Sequence, residues 1–150
     1  MNLGELNSHL LSHNLFYPFS VDNSSESVGG SVAIGLSGIA SGKEVHTKEM
    51  VLSLDIVSSS GETLKTGAEV FKSVTGYDIT RLLVGSWGTL GIITSVSLRV
   101  FPLNRKKEFA DLKLLPSAYP EIKTGNNPKI GLNRKIKKLL DPQGVFVDLF

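Results

Sequence analysis

The sequence predicts an α+β domain, on three observations. Val51–Val57 reads as a strand, and Ile92–Phe101 alternates apolar with polar residues as strands with one buried face do. Apolar residues recur at helical spacing near both ends, at Leu3, Leu6 and Leu10 and again at Leu132, Ile136, Leu139 and Leu140. Glycine-rich stretches at 29–38 and 85–91 separate these elements. A chain of 150 residues can bury a core of its own.

Residues 2–13 read as a helix. Asn2 with Glu5 makes a capping-box pattern, and Asn14 suits a left-handed exit. Leu15–Phe19 is a short extended run, because the residue before Pro18 is pushed away from helical geometry. Ser20–Ser27 reads as a polar loop leading to Val28-Gly29-Gly30-Ser31 and the small apolar run 32–38. Glycines this dense serve either close backbone packing or close approach of a ligand. Residues 39–48 read as a polar loop. Val51–Val57 then turns at Ser58-Ser59-Ser60-Gly61 into Glu62–Thr66, a hairpin by its turn residues.

Asp78 can cap a short helix carrying Ile79, Leu82 and Leu83, and Gly85 suits the left-handed position that ends it. Gly85-Ser86-Trp87-Gly88-Thr89-Leu90-Gly91 is a glycine turn leading into the strand 92–101, which Pro102 closes. Residues 104–131, rich in proline and glycine after 115, read as a linker. The last element is a helix from about Leu132 to Leu140, stopped by Asp141-Pro142.

Several chemistries are excluded or weakened. The turn at 85–91 has the spacing G-x-x-G-x-x-G with helix before and strand after, the reverse of the dinucleotide fingerprint. Gly38–Lys43 is one residue short of a P-loop, and Glu44 stands where Ser or Thr would bind magnesium. With no cysteine there is no thiolate metal site and no cysteine nucleophile. His9 and His13 have zinc-compatible spacing but no third ligand, and no G-x-S-x-G elbow is present.

Lys72, Tyr77, Asp78 and Arg81 are the polar residues nearest the turn in sequence. Asp78 is read as a cap with Arg81 as its ion partner, and Lys72 or Arg81 as a possible contact for an anion. Residues 1–103 carry six Lys/Arg against nine Asp/Glu, while residues 104–150 carry ten against five. A basic tail of this kind can touch nucleic acid or acidic lipid. A solvated helix face is the plainer reading, and no nucleic-acid motif accompanies the charge. No apolar run reaches transmembrane length, and the N-terminus lacks the pattern of a signal peptide, which predicts a cytoplasmic protein. The residues alone describe an α+β domain with two glycine-rich loops able to hold a polyanionic cofactor.

A resemblance extends this reading. Val28-Gly29-Gly30, Gly35-Leu36-Ser37-Gly38, Val51-Leu52, Gly61-Glu62, Thr66-Gly67, Lys72, Gly76–Leu82 and Gly85–Thr94 occur in that order. The series resembles the second half of the PCMH-type FAD-binding domain of the vanillyl-alcohol oxidase superfamily. Within it, the G-L-S-G form and the aromatic Trp87 are most similar to the FAD-binding subunit of the bacterial glycolate oxidase complex. Leu140-Asp141-Pro142-Gln143-Gly144-Val145-Phe146 resembles the C-terminal end of that family.

The resemblance implies the second α+β subdomain of such a domain, with a mainly antiparallel sheet flanked by helices and a C-terminal helix. It implies a partial FAD-binding domain over residues 1–103, a linker at 104–131 in place of the cap domain, and a helix and tail at 132–150. FAD would contact Val28, Gly29, Gly30, Ser31, Gly35, Ser37 and Gly38 from the first segment. The second segment would supply Gly85, Ser86, Trp87, Gly88, Gly91, Ile92 and Ile93. Exposed glycine amides can satisfy phosphate and flavin oxygens, and the flavin then supplies the redox chemistry.

No residue is expected to be catalytic, and no metal is expected. The family's first subdomain, with its own pyrophosphate loop, would normally precede Met1. The implied protein is part of a glycolate oxidase-like oxidoreductase acting on 2-hydroxy acids. It would work with other subunits or with a chain supplying the missing subdomain, in the cytoplasm or peripherally at the inner membrane through a complex. The alternative is a non-catalytic remnant or assembly module of the same fold that binds no flavin.

Overall fold

A computed structural model describes residues 1–19, 25–67, 79–116 and 128–148, with side chains in the last segment from Arg134 onward. The α+β expectation holds: helices flank antiparallel strand pairs throughout the described residues. Among the described residues the strands form three small sheets. Helix α1 is Leu3–Leu11. Strand β1 (Leu15–Phe16) pairs with β7 (Phe101–Pro102). Strand β2 (Ser37–Ala40) lies between β3 (Lys43–His46) and β8 (Lys113–Leu114). Strand β4 (Val51–Val57) lies between β5 (Thr63–Gly67) and β6 (Ile92–Leu98).

The start of α1 matches its sequence signature. The Glu5 amide donates to Asn2 Oδ1 at 2.7 Å, and the Asn2 amide donates to Glu5 Oε2 at 2.9 Å, so two of the helix's free donors are satisfied reciprocally. Asn14 takes the left-handed exit at φ 57°. The β4–β5 hairpin and the short helix α3 (Ile79–Leu83) also lie at the positions expected from their residues. Asp78, Lys72 and Tyr77 lie outside the described residues.

Four expectations are corrected. First, the segment around Val28-Gly29-Gly30 is not a loop but a helix, α2, Val28–Ile34. Ser27 caps it by accepting the Gly30 amide at 2.9 Å, and Gly35 ends it at φ 68°. Two glycines in its first turn hid a helix that tertiary packing stabilises: Val32 is fully buried in one core cluster while Val28 and Ile34 pack on the other.

Second, residues 39–48 are a hairpin and a 3-10 turn, not a loop. Ser41 at φ 50° and Gly42 at φ 73° occupy the two central turn positions, the left-handed pair whose twist matches antiparallel strands. Val45 is therefore in a strand and buried in the first cluster.

Third, strand β6 does not alternate through to Phe101. Asp55 pairs with Ser95 but Ile56 pairs with Ile93, so Thr94 is an extra residue. The bulge puts Ile93 and Val96, three apart, on the same core. The ladder stops at Leu98, and Phe101 joins Phe16 in another sheet.

Fourth, the last helix, α4, begins earlier, at Pro128, whose missing amide costs nothing at a first helical position. Its Leu139 is exposed at 81%, while Lys137 is buried at 6%. Between β7 and β8, Leu103–Phe109 winds as a 3-10 helix, and Leu103, Phe109 and Leu112 pack on the first cluster.

The two clusters meet at α2. One gathers Leu3, Phe16, Tyr17, Phe19 and Phe101, and the other Val51, Leu54, Ile56, Leu83 and Leu90. The short helix that carries the first glycine segment is thus fixed from both sides.

Candidate functional site

The two glycine segments, fifty residues apart in sequence, are joined through the C-terminal end of α2. A helix end leaves carbonyls without intrahelical partners. Here the glycine turn supplies the donors: the Gly85 amide bonds Val32 O at 3.0 Å and the Trp87 amide bonds Ala33 O at 2.8 Å. The approach is close enough that a Cβ on Gly35 would lie 3.0 Å from Gly85 Cα.

The turn needs left-handed backbone at Gly85 (φ 80°), Trp87 (φ 56°) and Gly88 (φ 73°). Glycine takes that geometry freely, whereas Trp87 takes it at a cost of about 1–2 kcal/mol. Thr89, fully buried, closes the turn by donating its hydroxyl to Ser86 O at 2.7 Å.

The glycines divide by what surrounds them. Around Gly38, a Cβ would meet Lys113 O at 2.8 Å, so this glycine admits β8. At Gly30 it would meet the capping Ser27 hydroxyl at 2.8 Å, and at Gly91 the Ile56 side chain at 3.2 Å. Gly35 is closed by Gly85. A Cβ on Gly88, in contrast, would meet nothing within 4 Å, and one on Gly29 would come no nearer than 4.0 Å to anything beyond its own helix and chain neighbours, the atom being Ile93 O. Among the described residues the Gly29 and Gly88 amides have no hydrogen-bond partner. An unused amide is what a ligand oxygen requires, and these two glycines have one, with nothing packed closely where a side chain would stand.

The other candidate residues serve mainly to build this backbone. Val28 packs against the first cluster. Ser31 is buried, its hydroxyl donating to Val28 O at 2.8 Å. Ser37 pairs with His46, and its carbonyl accepts the Leu115 amide at 2.9 Å. Ser86 is buried, and its amide bonds Leu83 O at 3.1 Å. Ile92 is exposed at 58%, and Ile93 packs on the second cluster.

A polar group not singled out from the sequence lies directly behind the turn. Lys137 Nζ donates to Thr89 O at 2.7 Å, to Asp141 Oδ2 at 2.6 Å and to Phe146 O at 3.0 Å. Asp141 in turn accepts the Val145 and Phe146 amides, both at 2.9 Å. The signal available in sequence was Lys137 and Asp141 at i and i+4, which brings them to one helix face.

Burial would by itself raise the Asp141 carboxyl. The Lys137 ammonium and the two amides outweigh it and hold the group at about 2, against an ordinary value of 3.8. A carboxyl depressed on folding stabilises the chain above its unfolded pKa, and that contribution is lost as pH falls from near 3.8 through about 2. Urea unfolding midpoints should therefore drop over that window, and Asp141→Asn should flatten the drop. An unchanged acid limb in that variant would reject the assignment.

Among the described residues no cluster of His, Asp and Glu is suited to a metal, and no helix is long and apolar enough to cross a membrane.

Comparison with known proteins bears on this arrangement. Residues 1–67, from α1 through the β4–β5 hairpin, match the FAD binding domain family. They belong to it. The matched segment contains α2, Gly29 and the whole first glycine stretch, and the family's cofactor is FAD. The chain is similar to the mitochondrial D-lactate dehydrogenase (cytochrome) of Arabidopsis thaliana, 40% identical over 96 residues, 64% of this chain and 17% of that protein. It is similar to glycolate oxidase subunit GlcE of Escherichia coli, 43% identical over 77 residues, 51% of this chain and 22% of that one. A D-lactate dehydrogenase of Archaeoglobus fulgidus is 30% identical over 136 residues, 91% of this chain and 30% of its own. The chain thus spans less than a third of the length of each of these relatives.

Proposed function

We propose that this chain forms part of the FAD site of a flavoprotein oxidoreductase acting on 2-hydroxy acids, resembling glycolate oxidase subunits. The rest of the site comes from further polypeptide, whether a longer chain or a partner subunit. One observation carries the reading. The turn at 85–91 is docked on the C-terminal end of the helix in the matched segment, and the Gly29 amide of one and the Gly88 amide of the other have no hydrogen-bond partner among the described residues.

In this reading Gly29, Gly88 and the exposed Ile92 meet the cofactor, while Gly30, its amide taken by the Ser27 hydroxyl, serves the helix cap. Val28, Ser31, Gly35, Ser37, Gly38, Gly85, Ser86, Trp87, Gly91 and Ile93 shape the backbone that presents them. Bound FAD supplies the hydride or electron chemistry, and this chain's residues bind and orient it. The D-lactate dehydrogenases and glycolate oxidase subunits among the relatives support the substrate class.

Titration with FAD, monitored by flavin fluorescence, tests the proposal. Saturable binding is expected, and Gly88→Val should weaken it at least about tenfold. The branched side chain fills the open space and disfavours the left-handed backbone at φ 73°. Binding unchanged in that variant would remove Gly88 from the site. No binding by the chain, alone or with its assembly partner, would favour a remnant or assembly module that keeps the fold without flavin.

A further inference from the structure

We infer that Lys137 is a positioning residue: through the Thr89 carbonyl it clamps the C-terminal helix against the glycine turn and holds that turn in its left-handed shape. The inference rests on the cofactor reading only for the ligand that the turn would serve.

The turn contains a strained position. Trp87 has a positive φ that a non-glycine residue keeps only where its surroundings over-determine it. On one side the constraint is α2, whose Val32 and Ala33 carbonyls take the Gly85 and Trp87 amides. On the other side the turn shows the Thr89 carbonyl to Lys137, and all three donors of the ammonium are used at once.

A buried pair such as Lys137–Asp141 gives little net stability over an apolar pair of equal volume. What it supplies is a fixed point in space. The carboxylate orients the ammonium, the Val145 and Phe146 amides orient the carboxylate, and the ammonium fixes Thr89. Ile136 and Leu140 seat the helix on the second cluster, and the Ser59 hydroxyl bonds Leu140 O at 3.1 Å. The helix is therefore anchored independently of the clamp, as a positioning element must be.

Trp87 is the chain's only tryptophan, so its emission reports on this turn. The test compares the full chain with Lys137→Met, Lys137→Arg and Leu140→Ala. Readouts are Trp87 emission, acrylamide quenching, thermal unfolding and FAD affinity. Lys137→Met is expected to shift the emission, raise quenching several-fold and weaken FAD binding about tenfold, with Lys137→Arg recovering part of each. Leu140→Ala should lower the melting temperature and leave Trp87 as it was.

The clamp is overturned if Lys137→Met leaves Trp87 unchanged, or if Leu140→Ala shifts it equally. Should Lys137→Met fail to fold, Asp141→Asn loosens the same ammonium and is judged by the same criteria. If the unsubstituted chain binds no FAD, the cofactor reading fails, while the Trp87 comparison still decides the clamp.

Discussion

Gly67→Ala should destabilise the chain by about 2–5 kcal/mol, a large share of the 5–15 kcal/mol typical of a domain. Two effects add. The backbone at Gly67 has φ 85°, which costs an alanine about 1–2 kcal/mol. The new methyl would also be driven into Leu52 O and would lie 2.9 Å from Ser53 Cα. Both are backbone atoms of the central strand β4, which cannot move without breaking its pairing with β5 or β6. Overpacking of this kind adds roughly 1–3 kcal/mol.

Gly61→Ala provides the control. Its φ is 82°, yet a Cβ there meets nothing within 4 Å, so only the backbone cost should appear. Urea unfolding of both variants separates the two contributions. Equal losses would mean that the crowding at Gly67 relaxes at no cost.

Local signals were legible wherever the chain's near neighbours decide the structure. Asn2 and Glu5 are three residues apart, so the capping box that starts α1 could be read directly. Ser58–Gly61 carries its own turn chemistry, and that chemistry alone indicated the β4–β5 hairpin. The features that escaped reading depend on distant partners. Gly29 and Gly30 are poor helix formers, and α2 exists because two core clusters close on Val32, Val28 and Ile34. The Thr94 bulge is set by β4, whose Asp55 carbonyl accepts the Thr94 hydroxyl at 3.1 Å.

The candidate site divides in the same way. Both glycine stretches could be found by composition, but which glycines serve packing and which face open space could not. Gly38 and Gly88 look alike in sequence. Only the strand β8 laid over Gly38 distinguishes them. Lys137 was invisible for a related reason: charged residues on an amphipathic helix are normally solvated, and its burial depends on a Thr89 carbonyl forty-eight positions earlier.

Gly35→Ala tests the joint between the two glycine segments, and a loss of about 2–4 kcal/mol is expected. At φ 68° the left-handed backbone contributes about 1–2 kcal/mol of this. The remainder comes from a Cβ placed 3.0 Å from Gly85 Cα and 3.3 Å from Gly85 N. Relief requires the turn to withdraw, which stretches the Gly85–Val32 and Trp87–Ala33 bonds and uncovers the end of α2. Gly35→Asn separates the two causes, because asparagine tolerates the left-handed region but still carries a Cβ. If close packing dominates, Asn and Ala should cost nearly the same, and both should shift Trp87 emission. If Asn restores most of the stability and leaves the emission unchanged, the backbone conformation of Gly35 is what matters, and the joint tolerates a side chain. The first outcome would make the Gly35–Gly85 contact the reason both segments must carry glycine where they meet, independent of any ligand. Any weakening of FAD binding in these variants would then be indirect, through displacement of Gly88, and should scale with the change at Trp87.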